Sequence, residues 1–125
     1  MTNWTEQKFA PSPGTFLCEK GEVAEGKVKE FRFGGESPFA FRMFIYNDNG
    51  KLKGFFNSCP HFDVPLNHKP DELFTQDGKF FQCVTHYAKF DKSSGLCVEG
   101  PCGGESLQLI PLIQEDNKIL ISRDL

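Results

Sequence analysis

Two short segments of this 125-residue chain place thiol and imidazole side chains close together. Cys59-Pro60-His61 is a C-x-H motif and Cys83-Val84-Thr85-His86 is a C-x-x-H motif, and 21 residues, Phe62 to Gln82, separate them. Each motif offers one thiolate and one imidazole within the reach of a single loop. Two such loops can hold a [2Fe–2S] cluster: the cysteines take one iron, and two neutral imidazoles take the other in place of thiolates. Exchanging two anionic ligands for two neutral ones lowers the negative charge on the cluster, so an added electron is accepted more readily. The same four donors also suit a zinc site of two Cys and two His, although C-x-H is tighter than the usual spacing of structural zinc motifs.

Loops of this kind need a rigid frame, and the flanking sequence reads as short strands. Val28–Phe33 is partly alternating. In Phe39–Tyr46, Phe39, Phe41, Met43 and Ile45 fall on one face. Asn47-Asp48-Asn49-Gly50 has the residues of a hairpin turn, with Leu52–Phe56 as the returning strand. Lys79–Gln82 delivers Cys83, and Leu107–Ile113 and Lys118–Ile121 flank the polar turn Gln114–Asn117. Pro11-Ser12-Pro13-Gly14 is a turn. Val23–Lys29 is compatible with helix but carries Gly26, and no helix is expected there. The pattern predicts an all-β, antiparallel sandwich or barrel, a single domain over 1–125. The stretch 57–104, rich in Cys, His, Pro and Gly, is expected to be a loop-rich cluster-binding subdomain inserted in that frame.

Hydrophobic residues make up 38% and charged residues 25%, ordinary values for a soluble globular protein. Fourteen Phe against one Trp and two Tyr suit a core with few polar atoms to satisfy. A net charge of −3 argues against nucleic acid as a partner, since phosphate binding needs a clustered positive face. Met1–Phe9 lacks a signal-peptide pattern, and no apolar run approaches the roughly 20 residues that cross a bilayer. A cytoplasmic protein without membrane contact is expected. Five cysteines in a reducing compartment point to metal binding rather than to a disulfide framework.

The paired motifs resemble the signature of the Rieske iron–sulfur family, and the resemblance covers most of the chain. Pro65-Leu66, Phe90-Asp91, Gly95 and Gly100-Pro101-Cys102 resemble the corresponding family stretches, and the strands of Phe31–Phe56 and Leu107–Ile121 resemble its framework. The resemblance implies a Rieske-like sandwich or barrel holding one [2Fe–2S] cluster on Cys59, His61, Cys83 and His86. Both histidines would sit at the domain tip as the electron exit. It also implies a soluble ferredoxin, monomeric when free. Such a protein carries one electron at a time between a flavin or iron–sulfur reductase and a terminal oxygenase or other oxidoreductase. Alternatives are a small iron–sulfur subunit of a larger reductase or oxygenase complex, and a non-redox zinc module. Substrate turnover by the chain alone is not expected: a Rieske oxygenase needs a further mononuclear iron site, and only His68 remains to supply it.

Three departures from the family pattern stand out. The motifs are spaced a few residues more widely, placed as an insertion near His68–Asp77; Val84 stands where Pro is common, and Tyr87 where Gly is common. In high-potential members, Ser and Tyr hydroxyls bond to sulfurs of the site and a disulfide joins the two loops. Here Ala88 and Phe90 occupy the hydroxyl positions, and neither donates a hydrogen bond. A potential in the lower part of the Rieske range follows. His68 reads as a solvated loop residue, Cys18 as a buried thiol, and Cys97 and Cys102 as small core residues under the cluster loop, with reversible disulfide formation between them as the lesser alternative. Asp63 and Asp91 read as acceptors near the ligands or as turn caps, and Lys89 and Lys92 as solvated loop lysines, with contact to an acidic surface of a partner as the alternative.

Overall fold

The structure, a computed structural model, describes residues 3–60, 64–69 and 72–123. The chain divides into two compact units: Asn57–Gln108, and the residues on either side of that stretch. All named sheets are antiparallel, and no α-helix occurs among the described residues. The all-β expectation therefore holds.

The flanking unit is built on three long strands. β2 (Val28–Phe33) pairs with β3 (Phe41–Asp48), and β3 with β4 (Lys51–Phe56). Asn49 and Gly50, with φ of 54° and 93°, make the tight β3–β4 turn. Both central residues have positive φ, the pattern of a two-residue turn that matches strand twist. Asn47 secures the turn: its Oδ1 accepts from Gly50 N at 2.7 Å, and its Nδ2 donates to the Val23 carbonyl at 2.7 Å. Phe41, Met43 and Ile45 point into a core with Trp4, Leu17, Cys18, Val23, Phe56, Ile110, Ile119 and Ile121. Phe41 stacks on Phe56 with centroids 4.9 Å apart.

Phe39, expected on the same face, is 72% exposed. The chain is still turning there: Phe39 N donates to Ser37 Oγ at 3.1 Å, and pairing begins only at Phe41. Pro111 splits the expected Leu107–Ile113 strand into β8 (Leu109–Ile110) and β9 (Leu112–Glu115), because proline has no N–H to give a ladder. β8 extends the β2-β3-β4 sheet, whereas β9 joins β10 (Lys118–Ile121) and β1 (Phe16–Glu19) in a second sheet. Asp116, at φ 57°, turns β9 into β10.

The Asn57–Gln108 unit holds a small three-stranded sheet of β5 (Phe80–Gln82), β6 (Lys89–Asp91) and β7 (Cys97–Glu99), in that order. The segment expected as an insertion packs on this sheet. Gln82 N donates to the Leu73 carbonyl at 2.9 Å, and Thr75 N to the Phe80 carbonyl at 2.8 Å. Leu73 is fully buried, and the Phe74 and Phe81 rings lie 5.7 Å apart.

Candidate metal centre

The first motif lies in a loop whose ends are tied together by two asparagines. Asn57 Oδ1 accepts from Leu66 N at 2.8 Å, and Asn57 Nδ2 donates to Asn67 Oδ1 at 2.8 Å. Asn67 Nδ2 in turn donates to the Lys69 carbonyl at 2.8 Å. Inside the loop, Cys59 N donates to the Val64 carbonyl at 2.7 Å. Sequence reading missed this clamp. Its only trace there is a pair of asparagines flanking an otherwise unexplained loop.

The second motif occupies the β5–β6 connection. Cys83 N donates to the Ala88 carbonyl at 2.9 Å, and Tyr87 N to the Cys83 carbonyl at 2.7 Å. Tyr87 takes φ 60°, the left-handed conformation that glycine adopts without penalty. Its ring is 77% exposed, so the tyrosine meets no packing obstacle. Val84 N donates to the Leu66 carbonyl at 2.8 Å, a direct tie between the two loops that a proline at 84 could not make.

These loops bring three donors together. Cys59 Sγ, Cys83 Sγ and a ring nitrogen of His86 lie within 4.8 Å of one another, with Cys83 Sγ 3.7 Å from His86 Nδ1. Both thiols are fully buried, while His86 is partly exposed. His61 and Asp63 lie outside the described residues. Burial of two thiols beside an imidazole, in loops braced by backbone hydrogen bonds, is an arrangement suited to a soft or borderline metal.

Ala88 and Phe90 are fully buried and offer no side-chain donor. His68 is exposed, but its Nε2 lies 3.4 Å from Thr85 Oγ1 in the second motif. Asp91 resolves to a turn role: its Oδ1 accepts from the backbone N–H groups of Ser93 and Ser94. Lys89 pairs with Glu99 at 3.0 Å, and Lys92 donates to the Gly78 carbonyl at 2.7 Å. Both lysines thus have partners within the chain rather than solvent alone. Thr75 holds the Asp77 carboxyl below the usual carboxylate range by hydrogen bonding, aided by Lys79 N. Cys102 is held as a thiol chiefly by burial, then by its contact with Cys97 and by the nearby Cys59.

A sequence profile of the Rieske [2Fe–2S] domain matches residues 14–113. The chain belongs to the Rieske [2Fe–2S] domain family. Among its relatives, the ferredoxin component of the p-cumate 2,3-dioxygenase system of Pseudomonas putida is 27% identical over 84% of this chain and 81% of that protein. The ferredoxin of carbazole 1,9a-dioxygenase from Nocardioides aromaticivorans superposes with a TM-score of 0.64 at 17% identity, over 89% of this chain and 98% of that one. A Sphingomonas yanoikuyae ferredoxin gives 0.63 at 24% identity, over 88% and 98%. These structural likenesses establish a shared fold.

In this Rieske chain, Gly100 carries weight for the second loop. Its φ is 110°, and a Cβ there would sit 2.8 Å from Ala88 Cα. Ala88 is the residue whose carbonyl receives Cys83 N. The variant Gly100→Ala is expected to lose about 1–3 kcal/mol of stability, through backbone strain and overpacking. Denaturant unfolding of the wild type and variant measures this; equal midpoints would contradict it.

Proposed function

We propose that this chain is a Rieske-type ferredoxin. It carries one electron at a time from a flavin or iron–sulfur reductase to a terminal oxygenase or other oxidoreductase, and itself turns over no substrate. The convergence of Cys59, Cys83 and His86 is the observation that carries the reading. A dioxygenase-system ferredoxin of similar length among its relatives supports it. We take 1–125 to work as one domain in the cytoplasm, with 57–104 as its cluster-binding part. No helix among the described residues is long and apolar enough to cross a membrane.

The donor set fits a [2Fe–2S] cluster. Cys59 and Cys83 would hold one iron and His61 and His86 the other, and the cluster when bound supplies reversible one-electron chemistry. The residues do the rest. The buried thiols exclude water from the sulfur side, and the backbone ties at Cys59 and Cys83 fix where each sulfur sits. His86, less buried than either cysteine, offers the path by which an electron leaves. Ala88 and Phe90 withhold the hydrogen bonds that would raise the potential, which is therefore placed in the lower part of the roughly −150 to +300 mV Rieske range.

Iron and sulfide analysis with EPR tests this. Purified protein is expected to contain two iron and two acid-labile sulfide per chain, one [2Fe–2S] cluster. It should be EPR-silent when oxidised and give a single-electron signal after dithionite reduction. Zinc without sulfide, or colourless protein after iron–sulfur reconstitution, would overturn the proposal.

A further inference from the structure

Two cysteines outside the ligand motifs face each other in the Asn57–Gln108 unit. Cys97 lies at the start of β7 and Cys102 beyond the turn that follows, and their Sγ atoms are 2.8 Å apart. Both are free thiols, 3% and 1% exposed. A disulfide bond spans about 2.0 Å, so a movement of under about 1 Å would join the two sulfurs.

The backbone holds this geometry without help from the thiols. Cys97 N donates to the Glu105 carbonyl at 2.8 Å, and Glu105 N donates to the Cys102 carbonyl at 3.0 Å. The chain between Cys97 and Cys102 is therefore held as a closed turn. That turn also provides a route in. Val98 is half-exposed, Glu99, Gly100 and Pro101 are exposed, and β7 is an outer strand of its sheet. Access to the two sulfurs requires β7 and the turn after it to open locally from β6.

We propose that Cys97 and Cys102 form a reversible disulfide site, oxidised by a small-molecule disulfide such as glutathione disulfide. One cysteine thiolate attacks a sulfur of the reagent; a protein–glutathione disulfide forms, and one glutathione leaves as thiolate and is protonated. The second cysteine, deprotonated once that opening admits water, displaces the remaining glutathione, which leaves as thiolate and is protonated, and the Cys97–Cys102 bond forms. In sum, two thiols and one reagent disulfide give one protein disulfide and two molecules of glutathione. The protein loses two electrons and two protons, and the reagent gains them. Because the second sulfur is already adjacent, the mixed disulfide does not accumulate.

The sequence makes the test clean. Cleavage after Lys92 and Lys118 releases Ser93–Lys118, which contains Cys97 and Cys102 and neither another cysteine nor an internal Lys or Arg. Protein as purified is treated with glutathione disulfide, alkylated in denaturant and digested. The expected Ser93–Lys118 peptide carries no alkyl group and is two hydrogens lighter than the dithiol; dithiothreitol before alkylation restores two alkyl groups. In Cys97→Ser the mass loss is absent, with Cys102 alkylated or carrying glutathione. A wild-type peptide that stays doubly alkylated, or that holds glutathione on either cysteine, overturns the proposal.

Discussion

Cys83→Ser is expected to reduce bound iron and acid-labile sulfide to background, leaving a colourless protein. A serine hydroxyl in this fully buried position is not ionised near neutral pH and cannot replace a thiolate as an iron ligand. The β5–β6 loop should survive, because Cys83 contributes its N–H and carbonyl to the loop and both remain in serine. Loss of metal with retained β structure by circular dichroism therefore separates ligand loss from misfolding. His86→Cys gives the complementary result. A thiolate in place of a neutral imidazole adds one negative charge, so the variant should keep iron while its potential falls on the order of 100 mV or more, toward the all-cysteine value near −400 mV. Full cluster content and unaltered spectra in both variants would remove Cys83 and His86 from the site.

How much of this was legible beforehand differs between the two units. In the flanking unit the strands followed period-two alternation and turn chemistry. Phe41, Met43 and Ile45 face the core as their spacing requires, and the hairpin turns at Asn49-Gly50. The misreadings there have local causes: Ser37 delays the start of β3, and Pro111 interrupts one long run. β1 escaped notice because Phe16–Glu19 is short and its pairing is with β10, about a hundred residues away, which no local pattern encodes.

The site shows the opposite balance. Cys59, Cys83 and His86, which the structure brings together, stood out in the sequence by residue type and spacing, while the structure that positions them did not. The Val84–Leu66 tie runs through backbone atoms, which side-chain patterns do not report. The contact of His68 with Thr85, and that of Cys97 with Cys102, depend on how loops fold back. Departures from the family pattern did carry information. Val84 in place of Pro supplies the N–H of the inter-loop bond, and Tyr87 in place of Gly marks a residue held at positive φ.

The asparagine clamp carries the second large expectation. Asn67 is fully buried and Asn57 only 3% exposed, so neither amide can turn to water if its partner is removed. Asn67→Leu deprives Asn57 Nδ2 of its acceptor and the Lys69 carbonyl of its donor. Asn57 Nδ2 is buried, whereas Lys69 is exposed and its carbonyl can turn to water, so a loss of about 1–3 kcal/mol is expected. Asn57→Leu removes the bond to Leu66 N as well as that to Asn67, and should cost a similar amount. The two variants share one hydrogen bond, so the double variant should be less destabilised than the sum of the single ones, by about 0.5–3 kcal/mol. Iron should also leave the single variants faster than the wild type when a chelator is added, since the clamp closes the loop that carries Cys59. Denaturant unfolding of the four proteins, with chelator-challenge rates, makes the measurement. Additive losses with wild-type iron retention would mean that the asparagines are two independent buried polar groups and that the first ligand loop is held by something else.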